Sequence, residues 1–80
     1  MMSKKAYVLI DVEKGEAGGV AAELSGKPGI LTADVIFGHH DVVAVIEADD
    51  VDGLERIVRN VIIPADYVAR TQTLLVVSGN

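Results

Sequence analysis

The sequence predicts a small α+β domain, in which a four-stranded antiparallel sheet carries two helices on one face. Three observations lead to this class. Short β-branched segments and amphipathic segments follow one another in the order β-α-β-β-α-β. Glycine, proline and aspartate residues separate these segments. None of the segments is long. With 80 residues, of which 50% are hydrophobic, the chain has room for one domain, residues 1–80.

The first half of the chain is predicted to form a strand, a helix and a second strand. Residues 6–12 are rich in β-branched and aromatic side chains, which favour a strand. Residues 17–25 place apolar side chains on one helical face, although a glycine pair weakens the start of that helix. Gly26 is expected to end it, and residues 30–37 then form the second strand.

The second half is predicted to form a strand, a more secure helix and a last strand. Residues 38–40 form a tight turn or bulge, and residues 41–47 are a nearly continuous apolar strand. A helix follows, capped by the Asp49-Asp50 pair, patterned at i, i+3, i+4, i+7 and i+8 and ended by Pro64. Residues 67–77 form the last strand. The whole order is that of a ferredoxin-like βαββαβ domain.

Apolar residues occupy both sides of the predicted strands. In the third strand one side carries Val43 and Val45, and the other carries Val42, Ala44 and Ile46. Two helices cover only one face of a sheet, and an exposed face would normally alternate apolar with polar residues. A second copy, packed sheet to sheet by two-fold symmetry, is the simplest cover for the other face. We therefore expect a homodimer through the sheet, a dimeric α+β barrel.

Composition and charge narrow the classes of function. The net charge is -5 and the seven Lys and Arg residues are scattered, so no basic surface for nucleic acid is expected. There are no Cys residues, which suits a reducing compartment and excludes thiol chemistry. Apolar runs fall short of the roughly 18 residues of a membrane helix. We expect a cytoplasmic protein that binds neither DNA nor membrane.

The main candidate site is the polar cluster Gly38, His39, His40 and Asp41, at the mouth of the third strand. Metal binding would need at least three ligands, and no further His or Cys exists. A His–Asp acid–base pair would lack a recognisable nucleophile. A plain turn would explain Gly38 through a positive φ but would not explain the other three residues. The sequence favours a small-molecule site with no metal and no cofactor.

The last strand adds Thr71 and Thr73, which lie two residues apart and so share a face of the strand. Hydroxyl groups beside a carboxylate suit a zwitterion such as an amino acid. Asp41 could meet its ammonium group, while the threonine hydroxyls and turn N–H groups could meet its carboxylate. The alternative is that both threonines reflect β-propensity alone.

The chain resembles the ligand-binding (RAM) domain of the Lrp/AsnC transcription regulators, from residue 6 to residue 77. The resemblance lies in the first strand, in the G-x-H-D turn that runs into an apolar strand, in the second helix and in the T-x-T ending; the matching segments are residues 6–10, 37–43, 52–58 and 71–76. It implies a sheet-packed dimer, often assembled further into an octamer, with an amino-acid effector at an interface between dimers. It also implies that Gly38, His40, Asp41, Thr71 and Thr73 line or shape the site.

Two departures from the family pattern shape the expectation. The chain starts directly at the effector domain without a helix-turn-helix segment, which resembles the stand-alone members, thought to sense amino acids or to partner full-length regulators. His40 stands where the family often has Tyr, so effector binding should depend more on pH.

Two alternative functions remain open: a small cofactor-free enzyme of the dimeric α+β barrel type, and a purely structural partner. A buried cavity reached by His39 or His40 would favour the enzyme, and a packed core would favour the sensor.

Overall fold

The computed structural model describes residues 3–78, which form the predicted four-stranded antiparallel sheet with its helices. The elements in chain order are β1 (Lys4–Val12), α1 (Ala17–Ser25), β2 (Ile30–Val35), β3 (Val42–Ala48), α2 (Val51–Ile57) with its π-helical continuation (Val58–Ile62), and β4 (Val68–Leu75). The strand order is β2-β3-β1-β4, and all neighbouring pairs are antiparallel. The ferredoxin-like order predicted from the sequence is confirmed.

The core lies between the sheet and the two helices. Six side chains of the two central strands are fully buried on this face: Ala6, Val8, Ile10, Val42, Ala44 and Ile46. The helices close the layer from above with Val20, Ala21, Leu24, Leu54 and Ile62. Among residues 3–78 no polar or charged side chain is buried. The covered layer is therefore a filled apolar core.

The second helix is fixed at its start and changes its winding at its end. The Asp50 carboxylate accepts a hydrogen bond from the Gly53 N–H at 2.7 Å, as the predicted N-cap requires. A Cβ on Gly53 would lie 2.8 Å from the Cβ of Ala48, so the glycine lets the first turn approach β3 closely. After Ile57 the winding widens, and the Ile63 N–H donates to the Val58 carbonyl.

The strand ends differ from the prediction in ways that locate the site. Strand β2 ends at Val35 rather than at residue 37, because Ile36 already belongs to the turn and donates its N–H to the Asp41 carbonyl at 2.9 Å. Strand β4 covers 68–75 of the predicted 67–77, and its pairing with β1 shifts register between Asp11 and Val12. Such a bulge re-aims the side chains beside it. The turn and the bulge lie at the same end of the sheet.

None of the helices formed by residues 3–78 has the length and apolar character of a membrane span.

Candidate functional site

The candidate site lies where β1 ends, β4 begins and the β2–β3 turn meets both. Asp11 stands near the end of β1, and the sheet register places Arg70 of β4 directly opposite it. His40 reaches the same place from the turn. Residues separated by 29 and 59 positions in the chain therefore meet at one end of the sheet.

The Asp11 carboxylate joins the other two side chains. Its Oδ1 lies 2.9 Å from His40 Nδ1, and its Oδ2 accepts a hydrogen bond from Arg70 Nε at 3.3 Å. Because an ionised carboxylate only accepts, Nδ1 of His40 carries the hydrogen in this arrangement. The Asp11 side chain is only 20% exposed, whereas Arg70 is 81% exposed. Asp11 thus orients two side chains that remain open to solvent on their other sides.

The electrostatics of Asp11 follow from these contacts. The hydrogen bond from His40 holds the pKa of the Asp11 carboxyl below its ordinary value, and the hydrogen bond and positive charge of Arg70 act in the same direction. Partial desolvation of the carboxyl opposes them without reversing the shift. Asp11 is therefore an ionised anchor at neutral pH.

These residues line a shallow cleft of about 280 Å³, together with three neighbours; its lining is Asp11, His39, His40, Arg70, Thr71 and Gln72. That volume lies just below the range of about 300–1,000 Å³ that is usual for complete small-molecule pockets. Residues 3–78 thus form a polar cleft that is small for a complete small-molecule site. Within that described part of the chain, no group of three or more metal-ligating side chains gathers.

The structure brings together three of the six residues that the sequence singled out: His39, His40 and Thr71. Thr71 and Thr73 share the helix-covered face of β4, opposite Ile10 and Val8. Thr73 nevertheless lies away from the cleft, beside α2.

Gly38 and Asp41 shape the turn instead of lining the cleft. Gly38 has a φ of +158°, and nothing lies within 4 Å of the position its Cβ would take, so the glycine answers a backbone requirement. Asp41 Oδ2 accepts a hydrogen bond from the Val12 N–H at 2.9 Å. The Asp41 N–H donates to the Ile10 carbonyl at 3.0 Å. Asp41 thereby ties the turn to the end of β1 and sets the position of His40.

Sequence reasoning missed Asp11, Arg70 and Gln72. Asp11 carried a usable signal, since it is the only charged residue within residues 6–12 and stands at the end of an apolar strand. Arg70 and Gln72 carried no usable sequence signal beyond their place in the polar half of the last strand, because the sheet register sets which residues they meet.

Comparison with known proteins places this chain in a family. The sequence model of the Lrp/AsnC ligand binding domain matches residues 5–79. No curated protein sequence matches the chain. Among solved structures, TTHA0845 from Thermus thermophilus is similar over 96% of both chains, with 26% identity and a TM-score of 0.89.

Two longer regulators share the fold. AsnC from E. coli has 19% identity and a TM-score of 0.87, and covers 95% of this chain. The transcriptional regulator NMB0573 from Neisseria meningitidis, solved as a complex with L-Met, has 18% identity and a TM-score of 0.81, and covers 94%. This chain spans 52% and 50% of their lengths, respectively. Since the family model covers nearly the whole sequence, this chain belongs to the Lrp/AsnC ligand-binding domain family.

Proposed function

We propose that the chain is an effector-binding oligomerisation module, which senses a small amino acid or a similar zwitterion at a cleft beside a subunit interface. The observation that carries this proposal is the Asp11–His40–Arg70 cluster, a polar cleft at the end of the sheet's uncovered face. The L-Met complex of the related regulator NMB0573 supports amino-acid chemistry for the family's domain.

The cleft offers complementary groups for a zwitterion. Arg70 uses Nε to contact Asp11, which leaves its terminal guanidinium nitrogens for an effector carboxylate. The ammonium group would meet the Gln72 amide oxygen, which shares the uncovered face with Arg70 and lines the cleft. In this proposal Gly38 and Asp41 act by holding the turn, and Thr73 takes no direct part.

The uncovered face of the sheet supports assembly. It carries Tyr7, Leu9, Val43, Val45 and Leu74, which the register places on the side away from the helices. Tyr7 and Leu74 are 40% and 43% exposed. A second copy packed face to face by two-fold symmetry would bury this apolar surface and form a homodimer.

Effector binding in the cleft would be coupled to the assembly of copies. A wall contributed by another copy would complete the shallow cleft, and the effector would then bind one assembly state more tightly than another. Such coupling is typically worth about 1–3 kcal/mol.

Packing favours a sensor over an enzyme. An enzyme of the dimeric α+β barrel type would hold a His or Asp in a cavity between sheet and helices. Here that layer is filled by apolar side chains, and His40 instead reaches an open cleft, where it is 28% exposed. His39 is exposed in the turn.

Calorimetric titration with the twenty amino acids tests the proposal. We expect at least one to bind the wild type and Arg70→Met to weaken that binding about tenfold or more, because a hydrogen bond to a charged group is worth about 1.5–3 kcal/mol. Arg56→Met, which changes an exposed arginine on α2, is the matched control and should bind as the wild type does. Absence of binding at millimolar concentration would contradict the sensor and leave a structural module.

A further inference from the structure

The imidazole of His40 has one nitrogen engaged and one nitrogen free. Its Nδ1 lies 2.9 Å from Oδ1 of Asp11 and donates to that carboxylate, whereas within residues 3–78 no hydrogen-bond partner meets its Nε2. The His40 side chain lines the cleft and is 28% exposed. Nε2 is therefore the ring nitrogen that remains for a molecule bound in the cleft.

The contact with Asp11 decides what the free nitrogen offers in each protonation state. An ionised carboxylate only accepts hydrogen bonds, so Nδ1 keeps its hydrogen whether the ring is neutral or charged. In the neutral ring Nε2 then carries a lone pair, and in the protonated ring it carries a hydrogen and shares a positive charge. His40 thus presents an acceptor to the cleft when it is neutral and a cationic donor when it is protonated.

Few groups in the cleft are free to accept hydrogen bonds from an α-ammonium group, which has three hydrogens to donate. Arg70 has only donors, both Asp11 oxygens are already engaged, and the Thr71 side chain lies on the helix-covered face. The Gln72 amide oxygen and Nε2 of His40 remain. An ammonium group that enters the cleft therefore needs the neutral form of His40 to gain a second acceptor.

Charged and titratable groups face His40 from two strands and from its own turn. Asp11 of β1 contacts Nδ1, and Arg70 of β4 donates from Nε to the other oxygen of the same carboxylate at 3.3 Å. On the turn, the Asp41 carboxylate is engaged with the backbone of β1, and His39 is exposed. Protonation of His40 places a second cation beside Arg70, and this pair repels an ammonium group.

We propose that Nε2 of neutral His40 accepts a hydrogen bond from the α-ammonium group of the effector while Arg70 holds its carboxylate. This inference rests on the proposed function and makes His40 the residue that distinguishes a zwitterion from a simple carboxylate. The resemblance to the family predicts only that binding depends on pH. The contact with Asp11 supplies the direction: the proton and the effector compete for one nitrogen, so binding strengthens as the pH rises.

Calorimetric titration of the wild type with the twenty amino acids, repeated between about pH 5.5 and pH 7.5, tests this competition inside the range in which imidazoles titrate. An amino acid that binds should lose about tenfold in affinity towards the acid end, because only the neutral fraction of the ring is competent. Neither α-group of a free amino acid titrates in this range. The deaminated analogue, such as propionate for alanine, should bind more weakly and without this pH dependence.

Two substitutions separate a direct contact from a structural role. His40→Asn keeps an N–H near the position of Nδ1 for Asp11 but has no group at the position of Nε2, so it should lose most of the binding. His40→Gln puts an amide group near the position of Nε2 and does not titrate, so it should retain binding with a flat pH profile. His39→Gln changes the only other imidazole of the sequence and should keep the wild-type pH dependence.

Three results would overturn the proposal. A wild-type affinity that is independent of pH, or an H40N variant that binds as the wild type does, would leave His40 with no task beyond orienting Asp11. An affinity that rises in acid would assign His40 to the effector carboxylate instead. Loss of the pH dependence in H39Q would move the contact to His39.

Controls keep these outcomes apart from a failure of the proposed function. Circular dichroism at each pH checks that the proteins are folded, and if H40N does not fold, the wild-type profile and H40Q decide the question. Binding of no amino acid at any pH would contradict the proposed function itself. Binding without the predicted pH dependence would contradict only the role of His40.

Discussion

The two faces of this sheet both carry apolar side chains on the central strands β1 and β3, but these side chains have very different surroundings. On the covered face Val8, Ile10, Val42 and the other inward side chains of β1 and β3 are fully buried beneath the helices. On the uncovered face Leu9 and Val43 are half-buried by their strand neighbours alone. The covered face explains how a single copy folds. The uncovered face has an apolar character that the fold of one copy does not require, and this supports the proposed dimer.

The largest expected effect belongs to the covered face. Ile46→Ala removes a fully buried side chain of β3 and should lower the free energy of unfolding by about 2–5 kcal/mol. Urea denaturation followed by circular dichroism measures this change. A cost below about 1 kcal/mol would show that the layer between sheet and helices is less tightly packed than the burial indicates.

A matched pair on β3 compares the faces directly. Val42→Ala on the covered face should cost about 2 kcal/mol at every protein concentration, because its burial is within one copy. Val43→Ala on the uncovered face should cost less when the protein is dilute and more when it is concentrated, because its burial requires a partner. Denaturation over a range of protein concentrations separates the two. An equal and constant cost for both variants would remove the distinction between the faces.

The cap of α2 tests how firmly the covering layer is held. Asp50→Ala removes the side-chain hydrogen bond to Gly53 and should cost about 1 kcal/mol. Asp49→Ala, which deletes the neighbouring carboxylate, is the control and should cost less. The same denaturation experiment measures both. Equal costs would indicate that overall charge, rather than the cap, sets the effect.

The smallest expected effect concerns the polar end of the uncovered face. The pKa of Asp11 is lower in the folded protein than its ordinary value of 3.8. The ionised carboxylate therefore stabilises the fold at pH values above 3.8, and this stabilisation is lost as the pH falls through the pKa of the folded protein. The stability difference between the wild type and Asp11→Asn should be present at neutral pH and disappear in acid. Denaturation from neutral pH down to about pH 3 checks this, and a difference that grows in acid would contradict the assignment.

The sequence predicted the elements well because their signals are local. The first helix has the predicted bounds, and Asp50 caps the second as its position indicated. The π-helical segment at residues 58–62 was not predictable, since the apolar spacing there also fits a regular α-helix. The cleft was predicted only in part, from His39 and His40 of the turn and from Thr71 of the last strand. Asp11 and Arg70 join it through sheet register, which no local pattern encodes.

The mass of the protein in solution tests the central claim that the uncovered face is an interface between copies. By sedimentation equilibrium, the wild type should have at least twice the chain mass of 8.4 kDa. Val45→Asp should abolish the sheet contact while the chain stays folded, whereas Ala22→Asp on the exposed side of α1 should leave the mass unchanged. A wild type at 8.4 kDa, or a V45D variant with the wild-type mass, would contradict the account.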